Sequence, residues 1–200
     1  DSRAVAEIRE LTAYDGNVAG SVVVNGRGGL SSRVSLSGSA LAISRLLNEL
    51  VGYDRLIAAG DVSLSVLGSG NTMDALMNSL NGEGSFNIGA GEVLGFDIVG
   101  MLKNLDLGFI GDGSKTIFDR ITGRFRVVDG VMIYDALAMD APLFKATGDG
   151  SIGLGGQTLD LRIIPELLVG DGKGIRVPLL IKGSWGAPKF RLDLEALARE

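Results

Sequence analysis

The chain has 200 residues, 46% apolar and 22% charged, proportions that exclude disorder and suit a core burying roughly 70% of the unfolded surface. It contains no histidine and no cysteine, which removes the usual general base, thiolate nucleophile, disulfide and soft metal ligands. With 24 acidic against 19 basic residues and a net charge of -5, it has no overall basic field to gather nucleic acid.

No apolar run approaches the ~18–20 residues a spanning helix needs, and no signal-peptide pattern opens the chain. The first residue is Asp1, so one domain over residues 1–200, taken from a longer protein, is expected. Glycine is the outlier: 31 of 200 residues with only 4 prolines, a balance that fits frequent chain reversals better than low complexity.

From Gly20 to Ser37 the pattern is strand, turn, strand, with Ser21–Asn25 and Val34–Ser37 flanking a break at Gly26-Arg27-Gly28-Gly29. Ile43, Leu46, Leu47, Leu50 and Val51 then fall on one face of a short helix. Val62, Leu64 and Val66 alternate with Ser63 and Ser65, which predicts a strand with one apolar face. A second stripe, Met73, Leu76, Met77 and Leu80, follows Thr72, whose hydroxyl suits an N-cap. Phe86 and Ile88 resume the alternation, and Ile98, Met101, Leu102 and Leu105 form a third helical stripe. Helices this short are unstable alone and must lie against a sheet or a partner.

Phe125–Val128 and Val131–Tyr134 flank Asp129-Gly130, a pair suited to the positive φ angles of a two-residue hairpin turn. That register places Phe125, Val127, Met132 and Tyr134 together on an inward face, with Arg124 and Arg126 on the other. Leu159, Leu161 and Ile163 alternate around Asp160 and Arg162. Leu80–Ile88 echoes Ala146–Leu154, each with two glycines expected ahead of an alternating strand, as a tightly twisting sheet requires.

Several motifs resemble chemistry without completing it. In Gly108–Thr116 the lysine comes one residue late for a phosphate loop, so a flexible loop is expected there. Gly148, Gly150 and Gly153 match a dinucleotide spacing but precede a strand rather than a helix N-terminus. Gly170–Gly174 is read as a turn. Asp135, Asp140, Asp149 and Asp160 could do acid-base work, but their settings are those of turns and solvent-facing strand positions. No calcium-loop spacing is present, and Trp185 is read as packing at a strand end. The expectation is a protein that is not an enzyme and uses no cofactor and no metal.

Taken in order, the punctuation points resemble the C-terminal region of the AsmA-like family of bacterial envelope proteins, related to TamB. They are Tyr14-Asp15-Gly16 followed by Gly20, Leu80–Gly84, Gly95-Phe96-Asp97-Ile98, Thr116-Ile117-Phe118, Asp129-Gly130-Val131 and Gly148-Asp149-Gly150. The tail adds Leu159–Arg162, Pro178-Leu179 and, above all, Gly183–Phe190. The resemblance implies a periplasmic protein held in the inner membrane by an N-terminal helix. Its long folded sheet would form an apolar trough for phospholipid passing toward the outer membrane.

The expected fold is mainly β with short helices (α+β): a curled, largely antiparallel sheet, a folded-over groove or incomplete barrel, with amphipathic helices on or between the strands. Candidate lining residues are Val62, Leu64, Val66, Phe86, Ile88, Phe125, Val127, Leu159, Leu161 and Ile163. Plain core is the competing reading of each, since an alternating strand face is usually core. The expected partners are phospholipid or another acyl lipid and envelope proteins at either membrane, with no nucleic acid. The alternative function is a protein-interaction or scaffold module in envelope assembly without direct lipid binding.

Overall fold

In the computed structural model, which describes residues 3–26, 29–168 and 174–197, the alternating segments pair into long ladders. Strands β1 (Arg3–Ala13), β2 (Gly16–Asn25) and β3 (Ser31–Ala42) run directly into helix α1 (Ile43–Val51). Next come β4 (Leu56–Ile57), β5 (Ala59–Ser69), helix α2 (Met73–Asn78), β6 (Asn81–Ile88), β7 (Gly91–Phe96) and helix α3 (Ile98–Asn104). Past a 3-10 turn at Leu107–Phe109 lie β8 (Ile110–Phe118), β9 (Arg120–Val128), β10 (Val131–Asp140), β11 (Phe144–Gly153) and β12 (Thr158–Leu167). The chain then forms β13 (Leu179–Ser184), β14 (Ala187–Leu192) and α4 (Leu194–Leu197). The expected turn at Gly170–Gly174 lies almost wholly outside the described residues.

Eleven strands form one antiparallel sheet in the order β1-β2-β3-β5-β6-β9-β10-β11-β12-β13-β14, while β4, β7 and β8 form a second, three-stranded sheet. The large sheet is not closed into a barrel; β1 and β14 are its edges. It is curled. Eight strand steps separate β3 from β14, about 38 Å in a flat sheet. The narrow second sheet bridges that span: Ala58, beside β4, accepts a hydrogen bond from the Ile43 amide at the end of β3, and Phe96 of β7 meets Phe190 of β14 edge to face, 5.0 Å between ring centres.

Because facing residues of neighbouring strands share a side, the registers define one continuous face. A single row crosses the whole sheet: Ile8, Gly20, Leu36, Leu64, Gly84, Phe125, Tyr134, Gly150, Leu161, Ile181 and Phe190. The hairpin forms with Val128 opposite Val131 and Phe125 opposite Tyr134, and both Asp129 (φ 47°) and Gly130 (φ 74°) take the positive angles the turn demands. Phe125 and Val127 are buried and Arg124 and Arg126 exposed, so the inward face is the one the register specifies.

Helices α1 and α3 cover one end of this face, and α2 lies at the other. A core of Leu41, Ile43, Ile88, Ile98, Leu102, Phe118, Ile121, Phe144 and Leu167 joins strand ends from both halves of the large sheet to α1, α3 and the small sheet. Two stripes are shorter than their periodicity implies. Only the first turns of α1 reach the core, leaving Leu50 65% exposed, and Leu105, in a left-handed conformation past the end of α3, is 38% exposed. Thr72 caps α2 as expected, its hydroxyl accepting from the Ala75 amide at 3.1 Å, while Met73 at the first helical position points to solvent.

Two further expectations are corrected. Gly108–Thr116 is not a loop: most of it is strand β8, whose buried Thr116 hydroxyl donates to the Phe96 carbonyl and accepts from the Ile98 amide. The glycine pairs of the internal echo sit within β6 and β11, not ahead of them. The reason is cross-strand crowding: a Cβ on Gly150, at φ +130°, would strike the Asp160 carbonyl oxygen, and one on Gly82 the Ser65 carbonyl oxygen.

Gly150→Ala is therefore expected to cost about 2–4 kcal/mol by urea unfolding, from the disallowed φ and the backbone collision together. Gly186→Ala, whose Cβ would meet only open space, should stay within about 0.5 kcal/mol.

Candidate functional site

The apolar face of the large sheet brings every candidate lining residue onto one side. In the rows parallel to that described, Val66 lies between Val34 and Gly82, and Val127 between Gly82 and Met132. Val62, Phe86, Gly123, Leu137, Gly148 and Ile163 make the next row. Ile88 lies in the core under the helices, with Val62, Phe86 and Ile163 against it. Val66, Phe125 and Val127 form a second buried cluster, bordered by Val34, Leu64, Phe86, Met132 and Tyr134. Leu159 and Leu161 belong to neither cluster and are half-buried on the open part of the face.

Aromatic rings occupy the middle of this face because glycines make room for them. Phe125 stands opposite Gly84, Phe86 opposite Gly123 and Tyr134 opposite Gly150. A Cβ on Gly84 or Gly123 would run into the Phe125 or Phe86 ring respectively. Tyr134 meets Phe86 and Phe125 edge to face, with ring centres 6.4 and 6.2 Å apart, the arrangement their quadrupoles favour.

Sequence reasoning placed Tyr134 inward with Phe125 but left it out of the lining. The signal was available, because the Asp129-Gly130 turn sets the parity of both strands. What the hairpin alone could not reveal is the isolation of the phenol. Bulges aside, Tyr134 is the one polar side chain in the interior of the large sheet's inner face among the described residues; Ser32 sits at its rim. Burial pushes the Tyr134 phenol up to about 12.

The carboxylates lie elsewhere. Asp135 pairs with Arg126 at 3.0 Å, Asp160 with Lys182 at 3.0 Å and Asp140 with Lys145 at 4.0 Å, all well exposed. Asp149 is exposed opposite Arg162. Single carboxylates each beside a cation do not make the acid-base couple of a hydrolase. No cluster of three or more potential metal ligands occurs among the described residues. A shallow hollow on the outer face, lined in part by Arg33, Ser65, Glu83 and Arg126, mixes both charge signs and offers little to an apolar ligand. Trp185 lies at a strand end as expected, its indole N–H donating to the Thr158 carbonyl at 3.2 Å.

The model of the AsmA family matches residues 6–136, more than half of the chain. The chain belongs to the AsmA family. Membership makes it an envelope protein of outer-membrane biogenesis. The match ends within β10, so the motif at Gly183–Phe190 lies beyond it, yet the same ladder continues through β14. Neither the curated proteins nor the solved structures compared with this AsmA-family chain gave a match. No helix among the described residues is long and apolar enough to cross a membrane.

The phenol makes stability depend on alkali. Below pH 10 Tyr134 keeps its proton in both states; from there to about 12 only the unfolded chain releases it, so stability falls by about 2–3 kcal/mol across that window. Urea titrations on either side of the window should find this loss, and Tyr134→Phe should make the slope shallower.

Proposed function

We propose that the chain is a noncatalytic periplasmic module, part of a longer protein held in the inner membrane, whose apolar sheet face takes up acyl chains of phospholipid in transit between the two membranes. The observation that supports this best is the row across the curled sheet, apolar at every position but Tyr134 and half-buried rather than sealed at Leu36, Leu64, Leu161 and Ile181. Each methylene moved from water onto such a face gains ~0.8 kcal/mol, so a chain of about sixteen carbons gains roughly 12 kcal/mol before the cost of ordering it. Shape and apolar lining suffice, and the chemistry asks for no nucleophile, base or metal.

A scaffold role without lipid would use the sheet edge. β1 offers eleven residues of edge strand with Val5 and Leu11 half exposed. Its bulge between Ile8 and Leu11 and its charges Glu7, Arg9 and Glu10 are the devices that discourage strand addition, which favours the lipid reading.

Protein purified without detergent from bacterial membranes should carry phospholipid detectable by mass spectrometry, and should move a fluorescent phosphatidylethanolamine between vesicles. Leu64→Asp and Leu161→Asp, which put a charge on the face, should each lower bound lipid by at least about tenfold. Lipid-free protein that neither binds nor transfers the probe would reject the proposal.

A further inference from the structure

The inner face carries one feature that a merely greasy surface does not need. Along the row from Ile8 to Phe190 every residue is apolar except Tyr134, and that residue stands one strand from the centre, in the seventh of eleven strands. Its ring packs edge to face against Phe86 and Phe125 and stands opposite Gly150 on the neighbouring strand. Its hydroxyl has no hydrogen-bond partner among the described residues. Fully buried polar side-chain atoms among those residues all have partners, so the unpartnered phenol oxygen, though largely buried, keeps some exposure.

A core tyrosine ordinarily finds an acceptor, and phenylalanine would fill this place without leaving a polar group in apolar surroundings. Resting on the lipid-binding reading above, we infer that Tyr134 is a positioning residue for ester-linked acyl lipid, its phenol O–H donating to the ester carbonyl while the acyl chains lie along the apolar rows on either side. An ester carbonyl suits this donor because the ester carbonyls are the strong acceptors at the junction of headgroup and chains, and they carry no charge to desolvate. The raised pKa agrees with the assignment, since the phenol stays protonated, and so remains a donor, throughout the physiological range.

An acyl chain covering Tyr134 strips water from the hydroxyl. A lipid that supplies a carbonyl replaces that water; one that does not leaves the donor unsatisfied. The test compares dioctanoyl phosphatidylethanolamine with its dioctyl ether counterpart, each titrated as a monomer against the full chain. The native protein should bind the ester about five- to tenfold more tightly than the ether. Tyr134→Phe should bind both alike, at or above the native affinity for the ether. Equal native affinity for the two lipids, or a variant that loses both in proportion, would overturn the inference while leaving lipid binding intact. Binding of neither lipid by the native chain would remove the proposed function and this inference with it. The ester-to-ether comparison on the native chain needs no variant, so it decides the matter even where Tyr134→Phe fails to fold.

Discussion

Strand parity is the constraint on which the rest of the molecule depends. Each strand of the large sheet turns one alternate set of side chains inward, and a slip of one residue in β5 would exchange Val62, Leu64 and Val66 for Ser63 and Ser65. Among the described residues three strands of the large sheet contain a bulge, and the one in β10 is the most instructive. Tyr134 and Leu137, three residues apart, would point to opposite sides of a regular strand; the inserted residue lets both face inward and turns Asp135 toward Arg126 outside. The same device in β3, where Ala40 adopts φ 52°, carries parity from Gly38 to Leu41. The irregularities thus preserve the apolar face rather than interrupt it.

Curvature follows from what occupies that face. Aromatic rings stand opposite cross-strand glycines at Phe86–Gly123 and Phe125–Gly84, so that large groups fit on the inner side of a bend without colliding. The doubled share of glycine in the composition is therefore explained by strand interiors as much as by turns. Family membership covers β1 to the middle of β10, and the strands beyond extend the same face in the same parity, so the two portions are continuous in hydrogen bonding and in chemistry.

Much of this was legible in the sequence because the relevant signals are local. The Asp129-Gly130 turn specifies its hairpin register, Thr72 announces its helix, and alternation of valine, leucine and serine marks β5. The second sheet was not legible. Gly111-Asp112-Gly113-Ser114-Lys115 lacks a strand's apolar alternation and becomes β8 only through its pairing with β7, which a helix and a turn separate from it in sequence. The α1 stripe spans its helix but only its first turns are covered, and the α3 stripe runs one residue past its helix, because periodicity marks a helix face but not how far the opposing surface extends. The inward Tyr134 could be read from its hairpin; its solitude needed the registers of eleven strands at once.

One structural feature bears on how such a module could work. α1, α3 and the small sheet stopper the trough at one end, with Leu102 and Phe118 completely shielded there. At the other end Leu76 of α2 and Leu80 crowd the inner face beside Gly68. Under the lipid-carrying role proposed above, the long rims at β1 and β14 are then the sides over which an acyl chain would be handed on.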